Sequence, residues 1–106
     1  MLSDEYRYKI LHLLEADPQM SQRDVARALG ISLGKVNYCL QALIEKGLVK
    51  ANNFKNSQNK QAYMYLLTSK GFSEKARATV GFLRRKTAEY EALRREIEKL
   101  KRELMR

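Results

Sequence analysis

The chain has 106 residues, of which 21 are Lys or Arg and 12 are Asp or Glu, so it carries a formal charge of +9. A chain of this size buries about 60 to 70% of its unfolded surface, which provides one modest core and excludes a cleft between two lobes. One Cys and one His exclude an internal disulfide, a Cys/His metal set and a catalytic triad, and the excess of cations points to a polyanion, most often nucleic acid.

The first periodic segment runs from about Ser3 to Ala16, with Tyr6, Ile10, Leu13 and Leu14 on one helical face. Ser3 or Asp4 can cap it and Pro18 stops it. Acids among its apolar positions are unlike a signal peptide, and no apolar run reaches the roughly 18 residues of a membrane span. The expectation is a soluble cytoplasmic protein. A second helix is announced by Ser21 and Asp24, spaced so that side chains and backbone satisfy each other at a helix start. Val25, Ala26 and Leu29 face inward, and Gly30 ends it in a left-handed turn. Ser32 caps a third helix with Val36, Leu40, Leu43 and Ile44 as its inner stripe, closed by Gly47. Two short helices across a tight turn read as a helix-turn-helix.

From Leu48 the period changes. Leu48 to Phe54 and Gln61 to Leu67 flank the polar stretch Lys55 to Lys60, a β-hairpin with a long tip. Thr68 caps a last helix that runs to the carboxyl terminus, with Gly71 and Gly81 as soft points. Its 38 residues would span roughly 57 Å. The predicted fold is mainly α with a small β-hairpin: a winged helix-turn-helix over 1–71, then a C-terminal dimerisation helix over 72–106.

The stretch SQRDVARALGISLGKVNYCLQALIEKGLVK, the LIEKGLV junction into the hairpin and the YLLTSKG that follows it resemble the MarR-type regulators. The run ISLGKVNYCLQALIEKGLVKANNFKNSQNK, with the short length and the YEALRREIE tail, more closely resembles the exopolysaccharide-associated MarR-type transcriptional regulators, over nearly the whole chain. This resemblance implies a small bacterial regulator of polysaccharide export or capsule genes. Larger MarR-type regulators sense small phenolic or oxidant signals in a pocket at the dimer interface, for which this chain has no evident room.

The third helix can be read without the family. With its apolar stripe inward, Lys35, Asn37, Tyr38 and Gln41 face outward near the amino-terminal half, the part of a recognition helix that enters the major groove. Asn and Gln can pair with adenine edges, Lys can reach guanine or phosphate, and Tyr can touch a thymine methyl. Ser32 and Gly34 lie at the first turn, where free amides and a missing side chain suit a phosphate. Between Glu45 and Glu74 there is no acid. The wing residues Lys50, Lys55, Asn56, Asn59 and Lys60 are therefore candidates for phosphate contact, with Arg23 and Arg27 as weaker backbone contacts. Lys75, Arg77, Arg84, Arg85 and Lys86 read as a solvated face.

In the last helix Leu83, Tyr90, Ile97 and Leu104 recur every seven residues, and Leu93 and Leu100 fall three after the second and third of them. These are the a and d positions of a coiled coil. Glu89 and Glu96 at g meet Arg94 and Lys101 at e only in a parallel pair. His12 lies outward on the first helix, and Cys39 sits at the edge of an inner stripe as a small apolar residue. Without a phosphate loop, paired catalytic carboxylates or a nucleophile with its base, the chain reads as a non-enzyme without a cofactor. The expected partners are double-stranded DNA carrying an inverted repeat and a second copy of the chain. The alternative is a protein-interaction or RNA-binding module assembled by its coiled coil.

Overall fold

The computed structural model describes residues 3–55 and 61–106. Three helices come first, α1 (Asp4–Ala16), α2 (Gln22–Leu29) and α3 (Leu33–Glu45). Each start is set by a serine hydroxyl that accepts from a backbone amide three residues on: Ser3 from Tyr6, Ser21 from Asp24 and Ser32 from Lys35. At α2 the cap is reciprocal, because the Asp24 carboxylate accepts from the Ser21 amide at 3.1 Å. Gly30 (φ 67°) and Gly47 (φ 75°) take the left-handed conformations that turn the chain after α2 and α3.

The strands β1 (Val49–Lys55) and β2 (Gln61–Leu67) pair antiparallel, with Val49 opposite Leu67, Ala51 opposite Tyr65 and Asn53 opposite Tyr63. These three pairs share one face of the hairpin. At its base Val49 and Tyr65 are buried, whereas farther out Asn53 and Tyr63 are exposed, as expected of a wing that overhangs its core. The amide of Tyr65 donates to the Pro18 carbonyl at 3.0 Å, which ties β2 to the loop after α1.

The core gathers Ile10, Leu11 and Leu14 of α1, Val25 of α2, Val36, Cys39, Leu40 and Leu43 of α3, Leu48 from the turn after α3, and Val49 and Tyr65 from the hairpin. Leu11, absent from the expected inner face of the first helix, is buried because α1 packs against α2, β2 and the last helix together.

That last helix, α4 (Ser69–Leu104), has 36 residues and is capped by Thr68, whose hydroxyl accepts from the Gly71 amide and donates to the Gly47 carbonyl at 2.6 Å. Its first turns belong to the head. Ala78 is buried, Phe82 packs on Tyr8, Glu74 pairs with Arg7 at 3.2 Å and Lys75 pairs with Glu15. Helix α4 thus stays packed on the head through Phe82.

The two glycines of α4 are positions of close approach. A Cβ at Gly71 would collide with the Leu48 carbonyl oxygen, and one at Gly81 would collide with the Asp4 carboxylate. Beyond Phe82 almost every residue of α4 is exposed, and the helix runs out as an arm that gives the molecule its 68 Å long dimension. The architecture is mainly helical with a two-stranded hairpin: a winged helix-turn-helix followed by a long C-terminal helix.

Candidate nucleic-acid interface

The buried stripe of α3 fixes what its other side presents. With Val36, Cys39, Leu40 and Leu43 in the core, Ser32, Gly34, Lys35, Asn37, Tyr38 and Gln41 are all exposed, and Tyr38 keeps 62% of its surface. No atom lies within 4 Å of where a Gly34 side chain would start, so the first turn offers open backbone to a close ligand.

The structure separates these residues by their partners. The Lys35 ammonium lies 4.3 Å from the centroid of the Tyr6 ring, so this cation is held at the flank nearest α1. Tyr38 and Gln41 are exposed on the surface of α3. Asn37 donates from Nδ2 to the Oε1 of Gln22 at 3.2 Å, and Gln22 in turn donates from Nε2 to the Tyr65 hydroxyl at 3.2 Å. One side-chain chain of hydrogen bonds thus links α3, the first residue of α2 and β2. Gln22 and Tyr65 were not among the residues picked out from the sequence. They lie 43 positions apart, and no local periodicity connects them.

The surroundings of α3 are cationic. Arg23 and Arg27 are exposed on α2, with Arg27 3.6 Å from Asp24. Lys50 is exposed on β1. Lys55 ends that strand with its side chain outside the described residues, as are Asn56, Asn59 and Lys60. Tyr63, exposed on β2, stacks on Tyr65 with ring centroids 6.2 Å apart. Tyr63 and Tyr65 form one wall of a cleft of about 280 Å³, with Gln19, Ser21 and Gln22 opposite. A second open cleft, about 390 Å³ and lined by Arg7, Glu45, Lys46, Leu48, Lys70 and Glu74, carries both signs of charge where the head meets α4.

Two ionisable groups are displaced from their ordinary range. The Asp24 carboxyl is held below 3.8 by its hydrogen bonds with the Ser21 backbone and side chain, with a smaller contribution from Arg27. Burial pushes the Cys39 thiol up, against a smaller opposing effect of Lys35, so the thiol is neutral and packed as a core residue. His12 is exposed and stacked on Tyr8. Among the described residues no group of three His, Cys, Asp or Glu is placed to hold a metal ion. No helix among them is long and apolar enough to cross a membrane.

The cations expected to form a solvated face on α4 divide. Lys75 is engaged with Glu15 and Lys86 with Glu89, whereas Arg77 is largely exposed, 3.9 Å from Glu74. The distal arm exposes Leu83, Tyr90, Leu93, Ile97, Leu100 and Leu104, with Ile97 the least exposed at 44%. None of these residues folds back on the head.

Three helices, a two-stranded wing and a polar outer face on the third helix define the winged helix-turn-helix class. A family model for winged helix-turn-helix DNA-binding segments matches residues 3–50. Among solved structures, a MarR/EmrR family transcriptional regulator from Acinetobacter sp. ADP1 superposes with a TM-score of 0.60 at 21% identity, over 93% of this chain and 74% of that one. The adhesin competence repressor AdcR from Streptococcus pyogenes gives 0.64 at 20% identity, over 84% and 64%. The transcriptional repressor CouR, solved bound to a 23-mer DNA duplex, gives 0.54 at 30% identity, over 68% of this chain and 49% of its own. The chain thus spans about half to three quarters of the length of these proteins, and what it shares with MarR-family regulators is the fold. No curated protein matches the sequence.

Proposed function

We propose that the chain is a MarR-type transcriptional regulator that binds double-stranded DNA as a homodimer in the cytoplasm, without catalysis and without a cofactor. The observation that carries this reading is the outer face of α3. It presents Asn37, Tyr38 and Gln41 beside an open first turn at Gly34, and the chain that follows it, from Glu45 to Glu74, has no acid between those two residues. Amides reading base edges from a helix in the major groove, with cations on flanking phosphates, is the division of labour such a surface supports. The solved complex of CouR with a DNA duplex supports the same use of the fold.

Dimerisation follows from the arm. A row of half-exposed Leu, Ile and Tyr on a helix with no intramolecular cover is a surface that a second copy buries. Parallel pairing sets Glu89 against Arg94 and Glu96 against Lys101 of the two chains, and two heads joined in this way read an inverted repeat with half-sites about one helical turn apart or a multiple. The finer assignment, control of polysaccharide or capsule genes, rests on sequence resemblance alone.

Selection of genomic fragments by the purified protein tests the reading. The expected result is a duplex site enriched over single strands and RNA, with affinity falling with salt by a log–log slope of about 0.9 per phosphate contact. Triple replacement of Asn37, Tyr38 and Gln41 by Ala should abolish the site preference in a folded protein. Salt-insensitive association with a protein, or preference for RNA, would establish the alternative module instead.

A further inference from the structure

Asn37 is the one amide on the outer face of α3 that the described structure holds in place. Its Nδ2 donates to Gln22 at 3.2 Å, and Gln22 is itself held by the hydroxyl of Tyr65. Tyr65 is the anchor: it is 6% exposed, its backbone amide is bonded to the Pro18 carbonyl at 3.0 Å, and its ring stacks on Tyr63. Gln22 is the first residue of α2, immediately after the reciprocal Ser21–Asp24 cap, so its backbone is fixed as well.

The polarity of this chain of bonds determines what Asn37 shows to a ligand. One N–H of Asn37 is committed to Gln22, which leaves its Oδ1 and its second N–H for a ligand. That pair matches the adenine edge, which offers the N6 amino donor next to the N7 acceptor. Guanine offers O6 and N7, two acceptors, and an amide that cannot turn would set its own oxygen against O6. A free Asn on a helix surface would rotate its amide to suit either purine, and would lose that rotational freedom on binding.

We propose that Gln22, backed by Tyr65, is a positioning residue that fixes the amide orientation of Asn37 and thereby makes the protein select adenine at one position of each half-site. The proposal rests on the DNA-binding reading above. It also makes the wing a contributor to base preference through Tyr65, without requiring β2 to touch a base.

The test compares the full-length protein and its variants on duplexes that carry A or G at each position of the selected site, with melting temperature measured on the same samples. Wild type should prefer A at one position per half-site, and Asn37→Ala should lose that preference. Gln22→Leu should reduce the same preference by roughly tenfold while leaving the other positions and non-specific affinity unchanged. Combining it with Asn37→Ala should cause no further loss there. Tyr65→Phe should act in the same direction and less strongly. Gln22→Glu supplies a rescue: its carboxylate accepts from both the Asn37 amide and the Tyr65 hydroxyl, so the preference should survive while affinity for every duplex falls.

Loss of preference at all positions in step with melting temperature would make Gln22 merely structural and overturn the proposal. So would a Gln22→Leu protein that still selects adenine where Asn37→Ala does not. A wild-type chain without site preference would overturn the DNA-binding reading itself, an outcome distinct from either.

Discussion

Replacing Gly71 by Ala separates close packing from helix propensity, because the two effects have opposite signs. In an exposed helix the change gains about 1 kcal/mol. Here the new methyl would collide with the Leu48 carbonyl oxygen, stand 3.1 Å from the carbonyl carbon and lie 3.4 Å from the Leu67 Cβ. A backbone carbonyl cannot swing aside as a side chain can. This one also accepts from the Thr68 amide at 3.0 Å, so moving it disturbs the start of α4 and the root of the wing together. Overpacking of this kind costs about 3 kcal/mol at the upper end of its usual range. Subtracting the propensity gain leaves a loss of about 2 kcal/mol, or roughly 8 °C in melting temperature for a domain of this size. Thermal unfolding followed by circular dichroism, with Gly34→Ala as the control in open space, reads the difference directly. A Gly71→Ala protein that melts at or above the wild-type temperature would refute the close approach of α4 to Leu48.

Gly34→Ala should itself melt about 2 to 4 °C above wild type, since nothing in the protein meets the added methyl, yet bind its duplex more weakly if a phosphate approaches that turn; unchanged binding would remove Gly34 from the interface. The Asp24 carboxyl has its folded pKa below its ordinary value of 3.8, so its contribution to stability is present above that value and is lost as pH falls through the lower, folded one. Asp24→Asn keeps an acceptor for the Ser21 amide but no charge, and the difference in melting temperature between it and wild type should shrink in acid; a difference that is constant with pH would contradict the assignment. Replacing both Leu93 and Leu100 by Lys should convert a dimer into a monomer in sedimentation and weaken operator binding by at least tenfold, because the linked second head is lost. A wild-type chain that sediments as a monomer at micromolar concentration would sink the role given to the arm.

The sequence by itself determined the elements that depend on a few neighbouring residues. Ser3, Ser21, Ser32 and Thr68 each cap a helix because the amide they satisfy lies three positions away, and Gly30 and Gly47 turn the chain because a left-handed residue is needed at those points. The stripe Val36, Leu40 and Leu43 sets the outer face of α3 by helical periodicity alone. The seven-residue apolar spacing of α4 is legible in the same way, and the structure leaves that row exposed. Only the tertiary structure decided how elements distant in sequence meet. Gly71 and Gly81, readable as soft points of a long helix, are where α4 passes against Leu48 and Asp4, and a missing Cβ acquires that meaning only once a partner is placed beside it. Lys35 has the same spacing whether it projects freely or lies over Tyr6, and only the folded chain, which brings Tyr6 of α1 under it, chooses between them. The bond from Asn37 to Gln22 spans 15 positions and the bond from Gln22 to Tyr65 spans 43, distances over which side-chain hydrogen bonding leaves no period in a sequence; it is fixed when the helices and the wing close on a common core.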